Sequence, residues 1–372
     1  MGNSNMQTIQ HSNYSQIYHL LYQNEQLSKQ GIADQLKLSL PTVSANLEKL
    51  LDQKLILKQG QLKSTIGRRA TAYAIDPDVA LSVGIEIFRN QATVSILNLV
   101  NTPIVTETLN LTFDNDDAYF QSLSERLLAI IDQHKIDHAQ IIGVGVGVQG
   151  LVSNDGTTVL YGKILNCTGM TTKNFSDYLP FPVTFYHDAD CVAAAEYAKK
   201  PTDGIYLSVS EHLGTAVILN GKTLETKSGR SGTMEHITLD GVNGPRCYCG
   251  RRGCIETYCS LSSLLNEDEA ATDFFAQQQA GDAEVTQRFN VYLSNLARSL
   301  YNLHMFIDIP IIIAGDLAKY LLPEHLDVLK AELTKLSVFP ERDDYLEIGQ
   351  VVDHAVASGA AIPAINAYLN QI

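Results

Sequence analysis

The chain has 372 residues, 45% of them hydrophobic and 18% charged, with a formal net charge of −14. That length admits two or three domains, and that charge excludes a protein that coats nucleic acid with its whole surface. The polar opening Met1–His11 is not expected to be a signal peptide, and no run of about 18 apolar residues is present to span a membrane, so the cytoplasm is the expected compartment. The charge is uneven: residues 1–78 hold eight Lys/Arg against six Asp/Glu, and the rest hold 19 against 35. Only the first segment has the sign that phosphate contacts require.

Residues 14–36 predict two short amphipathic helices, with Ile17, Leu20 and Leu21 on one face of the first. Ser28 caps the second, which buries Ile32, Ala33 and Leu36. Ser39 caps a third helix, and Pro41 sits in its first turn, where a missing N–H does little harm. Val43, Leu47, Leu50 and Leu51 form its buried stripe. Thr42, Ser44, Ala45, Asn46 and Lys49 form the opposite face, mostly short side chains that let a helix sit deep in a major groove. Strands Leu55–Lys58 and Ala72–Ile75 then flank a hairpin tip carrying Lys63, Gly67, Arg68 and Arg69. Guanidinium groups on such a tip suit the negative potential of a minor groove. The pattern is that of a winged helix-turn-helix over residues 1–78, ending at Asp76-Pro77-Asp78. Its expected partner is double-stranded operator DNA, read by Pro41, Thr42, Ser44, Asn46 and Lys49 in the major groove and by Arg68 and Arg69 in the minor groove.

From Leu81 the pattern changes to strands. Leu81–Phe88 and Gln91–Asn98 form a hairpin about Arg89-Asn90, and a third strand lies near Ile104–Phe113. A helix over Asp117–His134 puts Leu123, Leu127, Leu128 and Ile131 on one face. The strand Ile141–Val148 runs into Gln149-Gly150-Leu151, Val183–Tyr186 leads into a helix over 188–199, and Ile205–Val209 opens a second sheet. Strands followed by helices, twice over, imply an α/β fold of two lobes.

Three thiols and an imidazole, Cys247, Cys249, Cys254 and His236, are the ligand set of a closed tetrahedral zinc site. The Cys-x-Cys and Cys-x4-Cys spacings let one tight loop deliver three sulfurs, and Gly250 and Gly253 supply its turns. Four of the six cysteines fall between positions 247 and 259, which suits a metal better than a disulfide framework. Structural zinc is the expected cofactor.

Residues 247–256 match the loop Cys-x-Cys-Gly-x-x-Gly-Cys-x-Glu of the ROK family at every fixed position, and His236 matches its fourth metal ligand. Gly145–Val152 is similar to its Gly-x-x-x-Pro-Gly-x-Val loop, with Gln149 for the proline, and Gly315 and Ser358–Pro363 resemble its C-terminal loop and closing helix. The resemblance covers about residues 79–372, and the winged helix resembles the repressor branch of that family. It implies a two-lobed, actin-like (ribonuclease-H-type) sugar-kinase fold. Lobe one would take about residues 79–188 plus a C-terminal helix, about 352–372, and lobe two about 189–351.

The resemblance further implies a sugar site between the lobes. Asp188 falls at the kinase base position, with His187 in place of the usual asparagine, a repressor-like feature. His236 and Glu256 match sugar-side residues, and Gly150 and Asn166 lie in loops that contact sugar in relatives. The family motif Gly-Glu-x-Gly-His reads Gly232-Thr233-Met234-Glu235-His236 here, so Thr233 takes the position of a sugar-binding Glu and Glu235 is expected to point to solvent. Tyr161, Lys163 and Lys173 lie where a phosphorylated sugar would want a cation.

Kinase members hold ATP in three glycine-rich loops. The corresponding segments here are Glu86–Asn90, Ser210–Ile218 and Ala314–Asp316, which have lost most of those glycines. The expectation is a non-enzymatic, sugar- or sugar-phosphate-responsive repressor of carbohydrate-utilisation genes, a homodimer or homotetramer on a palindromic operator. The competing readings are a carbohydrate kinase with an appended DNA-binding domain, and a repressor controlled by a protein partner.

Overall fold

The first helix is longer than its apolar spacing predicts. In the computed structural model, which describes residues 2–62, 70–224, 230, 232–339 and 345–372, α1 runs over Gly2–Tyr22. It is followed by β1 (Leu27–Ser28), α2 (Lys29–Leu36), α3 (Leu40–Asp52), β2 (Ile56–Leu62) and β3 (Ala70–Ile75). The three strands pair in the order β1-β3-β2. Ser28 Oγ accepts from the Gly31 amide at 3.0 Å and Ser39 Oγ from that of Thr42 at 3.3 Å, so both helices start where their caps place them. Arg68 and Arg69, with Lys63 and Gly67, lie outside the described residues.

The α3 surface differs from expectation at one position. Asn46 is only 6% exposed, and its Nδ2 donates to the Thr42 carbonyl at 2.9 Å. It stands three residues after Val43 and four before Leu50, so it falls on the buried stripe and not on the groove-facing side. Pro41 and Lys49 are exposed, while Thr42 and Ser44 are half-buried, Ser44 accepting from Lys29 Nζ at 3.1 Å.

The remainder forms two sheets with matching topology. The first contains β4 (Leu81–Ile87), β5 (Gln91–Asn98), β6 (Pro103–Asn110), β7 (Ile141–Val148) and β10 (Val183–His187), in the order β10-β7-β4-β5-β6. Helix α4 (Asp117–Gln133), the hairpin β8 (Leu151–Val152) and β9 (Val159–Tyr161), and the short α5 (Lys173–Ser176) are inserted between them. Helix α6 (Asp188–Lys199) then leads to the second sheet, made of β11 (Gly204–Val209), β12 (Leu213–Leu219), β13 (Lys222–Thr223), β14 (Ile311–Ala314) and β15 (Leu346–Ile348), in the order β13-β12-β11-β14-β15. Each sheet is an antiparallel three-strand meander to whose first strand two parallel strands are added. The second carries α7 (Glu256–Cys259), α8 (Leu261–Leu264), α9 (Ala271–Gln279), α10 (Ala283–Phe306) and α11 (Pro323–Leu336). No helix among the described residues is long and apolar enough to cross a membrane.

The closing helix, α12 (Ala355–Leu369), packs on β4, β5 and β7 of the first sheet and on α6. The approach is backbone on backbone: a Cβ on Gly145 would stand 1.8 Å from the Ala360 carbonyl oxygen, and one on Gly359 would stand 1.8 Å from that of Cys191. The alternating glycines of β7 are there to admit this helix. Ile362, Ile365 and Leu369 of α12 share an apolar cluster with Ile17, Tyr18 and Leu21 of α1, so the core of the winged helix is continuous with that of lobe one.

The chain passes from the first sheet to the second through α6 and returns through α12, and one carboxylate ties the two passages together. Glu196, 4% exposed near the end of α6, accepts from the Gln350 amide at 2.8 Å and from that of Val351 at 2.9 Å.

Candidate functional site

The β10–α6 junction sets His187 and Asp188 side by side, their Nε2 and Oδ1 3.2 Å apart. Asp188 Oδ1 also accepts from the Ala189 amide at 2.9 Å, as an acid at a helix start does. Burial raises the Asp188 pKa, which His187 partly offsets. Burial alone would lower the His187 pKa, but Asp188, Asp190 and Glu235 outweigh it and hold the imidazolium above its usual range.

These two residues open onto a cavity of about 610 Å³ between the lobes. Of the expected sugar-side residues, Gly150, His187, Asp188, Thr233 and His236 line it. Tyr161 and Lys163 line it as well, whereas Lys173 begins α5 and does not. Asn166, in left-handed backbone at φ 55°, is not on the wall.

Glu256 is turned away from the cavity. It is 4% exposed, with Oε1 2.8 Å from His212 Nδ1 and Oε2 accepting from the Leu213 amide at 2.7 Å. Starting α7, it faces the start of β12, and His212 stands on the cavity wall in its stead. Glu235 departs from expectation in the opposite direction. It is 5% exposed and on the wall, not in solvent, and burial pushes its pKa up to about 7 against the attraction of His187. Tyr248 also lines the cavity, its ring edge-on between His212 and His236 at centroid distances of 5.3 and 5.2 Å.

Behind this wall the four expected metal ligands converge. One ligand atom each from His236, Cys247, Cys249 and Cys254 lies within 4.8 Å of all the others. His236 Nδ1 is 3.7 Å from Cys247 Sγ, and Cys249 Sγ is 3.7 Å from Cys254 Sγ. A tetrahedral ion with metal–sulfur bonds of about 2.3 Å needs edges of about 3.8 Å, so the donor set fits a metal ion as it stands. Gly250 and Gly253 take φ of 93° and 66°, the turns the loop requires.

On the lobe-one side of the cleft lies the segment Glu86–Asn90. Arg89 donates through Nη2 to the Ile164 carbonyl at 3.0 Å, and Phe88 donates its amide to the Gln91 carbonyl. Glu86 is pushed up to about 8 by burial, with Asp188 and Asp316 adding to the shift and Lys319 opposing it. The folded protein therefore keeps a proton that the unfolded chain, with a carboxyl near 4.5, has released, and stability falls as pH rises from about 4.5 to about 8. In thermal melts Glu86→Gln is expected to melt above the parent at pH 8 and to converge with it near pH 5. An equal difference at both pH values would refute the assignment.

Together the two-lobed fold, the interlobe cavity, the Cys3His cluster behind it and the winged helix define a sugar-kinase-like protein joined to a DNA-binding module. The chain belongs to the ROK family, whose profile matches residues 83–366, and a winged helix-turn-helix DNA-binding profile matches residues 15–56. It is similar to the xylose repressor of Bacillus subtilis, 28% identical over 250 residues, covering 66% of this chain and 65% of that protein. It is also similar to the DNA-binding transcriptional dual regulator NagC of Escherichia coli, 25% identical over 403 residues, covering 99% of this chain and 96% of that one. Among solved structures, a ROK family transcriptional regulator homologous to the E. coli MLC protein superposes with a TM-score of 0.77 at 18% identity, over 97% of this chain and 96% of that one. A ROK family glucokinase from Streptomyces griseus, in complex with glucose and AMPPNP, superposes with a TM-score of 0.66 at 18% identity, over 77% of this chain and 100% of the enzyme.

Proposed function

We propose that this chain is a sugar-responsive transcriptional repressor of carbohydrate-utilisation genes and not an enzyme. The observation that carries the reading is the joining of a winged helix to an interlobe cavity through the shared apolar cluster of α1 and α12. Operator DNA occupies the face of α3 that carries the exposed Pro41 and Lys49 and the half-buried Thr42 and Ser44, with Arg68 and Arg69 in the minor groove. A sugar or sugar phosphate occupies the cavity, where His187 and Asp188 meet its hydroxyls. Zinc on His236, Cys247, Cys249 and Cys254 shapes the wall and performs no chemistry on the ligand. The chain works as a homodimer or homotetramer, for which a palindromic operator is the geometric match. Coupling requires that sugar favour one arrangement of the lobes over the other.

Two features favour a sensor over a kinase. Phe88 and Arg89 stand at positions where the kinase pattern has glycines for backbone approach to phosphate, and the half-buried Glu86 sets an acid beside them. Calorimetric titration with neutral and phosphorylated sugars is the test, with operator affinity measured with and without the sugar that binds. At least one sugar is expected to bind and to weaken operator binding, and no hexose is phosphorylated in the presence of ATP. Turnover that disappears in Asp188→Asn would establish a kinase instead, and silence across the whole panel would favour a protein effector.

A further inference from the structure

The cavity wall holds one carboxylate that neither the family pattern nor its own contacts explains. Glu235 stands one residue before His236, where the family pattern has glycine, and it lies on the wall at 5% exposure. Its nearest hydroxyl, Thr215 Oγ1, is 3.4 Å from Oε2. That hydroxyl has one proton to share between Glu235 and the Gly232 carbonyl, while its oxygen accepts from the Met234 amide at 2.9 Å. His236 Nε2 is 3.9 Å from Oε1, too far for a hydrogen bond. The remaining partners among the described residues are the charge of His187 and the residue's own amide, which leave acceptor positions open. A carboxylate has about four acceptor sites, and leaving them empty in a buried place is costly unless a ligand fills them.

We propose that Glu235 is an effector-binding residue that accepts sugar hydroxyls together with Asp188, performing here the task that the family pattern gives to the position of Thr233. This rests on the reading that the cavity takes a sugar. In their ionised forms both carboxylates only accept, so a ligand that binds them must present donors to each. A polyol does so through its hydroxyls. Substituting Glu for the family's glycine also moves the acid two residues along the chain, from beside the 3-10 turn Met234–His236 into its centre. The sugar is thus met from a different point on the wall, which makes Glu235 a determinant of which hydroxyl is read.

The test is calorimetric titration of the full-length chain, parent and E235Q, with D-xylose, D-glucose and N-acetylglucosamine, alongside metal content and melting temperature. For whichever sugar binds the parent, E235Q is expected to bind about tenfold or more weakly at unchanged metal content, because a charged acceptor has been replaced by a half-donor. Parent-like affinity in E235Q overturns the proposal while leaving the sugar reading intact. If neither these sugars nor their phosphates bind the parent, the sugar reading falls and this inference with it. Should E235Q lose its metal, E235D decides: weakened sugar binding at full metal content supports the role, and parent-like affinity overturns it.

Discussion

Cys247→Ser is expected to lose bound metal, to melt below the parent and to lose sugar binding altogether. Cys247 is buried, its sulfur 3.7 Å from His236 Nδ1, and it is joined to Cys249 by Tyr248, which lines the cavity. Three of the four ligands and the wall residues Tyr248, Cys249 and Arg251 thus lie within one eight-residue loop, and the fourth ligand is itself on the wall. A structural zinc contributes on the order of 10 kcal/mol to an isolated zinc-binding peptide. In this chain backbone hydrogen bonds from Cys247 to Arg251, from Gly253 to Pro245 and from Ile255 to Ile237 also hold the loop. The loss should therefore be a fraction of that figure, about 3 kcal/mol, or a fall in melting temperature of about 4 °C if the whole chain unfolds together. Cys259→Ser is the control, because that buried thiol lies outside the ligand set against Ser299 Oγ at 3.2 Å and should leave the metal in place. Elemental analysis and sugar titration of both variants decide. One metal ion per chain in Cys247→Ser, or unaltered sugar affinity in metal-free protein, would refute the assignment.

Thr42→Glu combined with Ser44→Glu is expected to reduce operator affinity by more than about a hundredfold while sugar affinity stays at the parent value. Both residues lie on the first turns of α3, away from its buried stripe, and two carboxylates there would oppose the phosphate backbone. Lys49→Ala should act differently, weakening all sequences alike and lowering the slope of log affinity against log salt by about 0.9. Arg68→Ala with Arg69→Ala should weaken operator binding in the same sugar-independent way. Asn46→Ala supplies the contrast. Its amide is bonded inside the helix to Thr42, so the change should cost about 1 kcal/mol of stability and leave sequence preference alone. Gel-shift titrations over a salt series separate these outcomes. A double-glutamate variant that still binds operator like the parent would remove α3 from the interface.

What the sequence reveals about this protein follows the range of the interactions involved. The caps at Ser28 and Ser39 and the strands Leu81–Ile87 and Ile141–Val148 depend on neighbours a few residues away, and their signatures survive in a linear reading. The four metal ligands are legible for the same reason, being three thiols in one loop and a histidine eleven residues upstream. Asn46 misleads because a polar side chain on the buried stripe is satisfied by a carbonyl of its own helix. Glu256 and Glu235 exchange expected places because their surroundings are set by β12, through Leu213 and Thr215, some 43 and 20 residues away. No local pattern carries that information. The strand Ile141–Val148 is legible, but the reason for its alternating glycines is not, because α12, more than 200 residues later, is what packs against them.

The two bonds that Glu196 accepts from Gln350 and Val351 close a continuous frame. A 12-residue α6 starts at Asp188 in the cavity and ends just past that carboxylate, and a 15-residue α12 starts just beyond Val351 and ends against α1. Because Gly359 of α12 lies directly on the Cys191 carbonyl of α6, the two helices form one packed body. At 1.5 Å per residue α12 is about 22 Å long, and that body is the path of direct contacts from the cavity residue Asp188 to the winged helix.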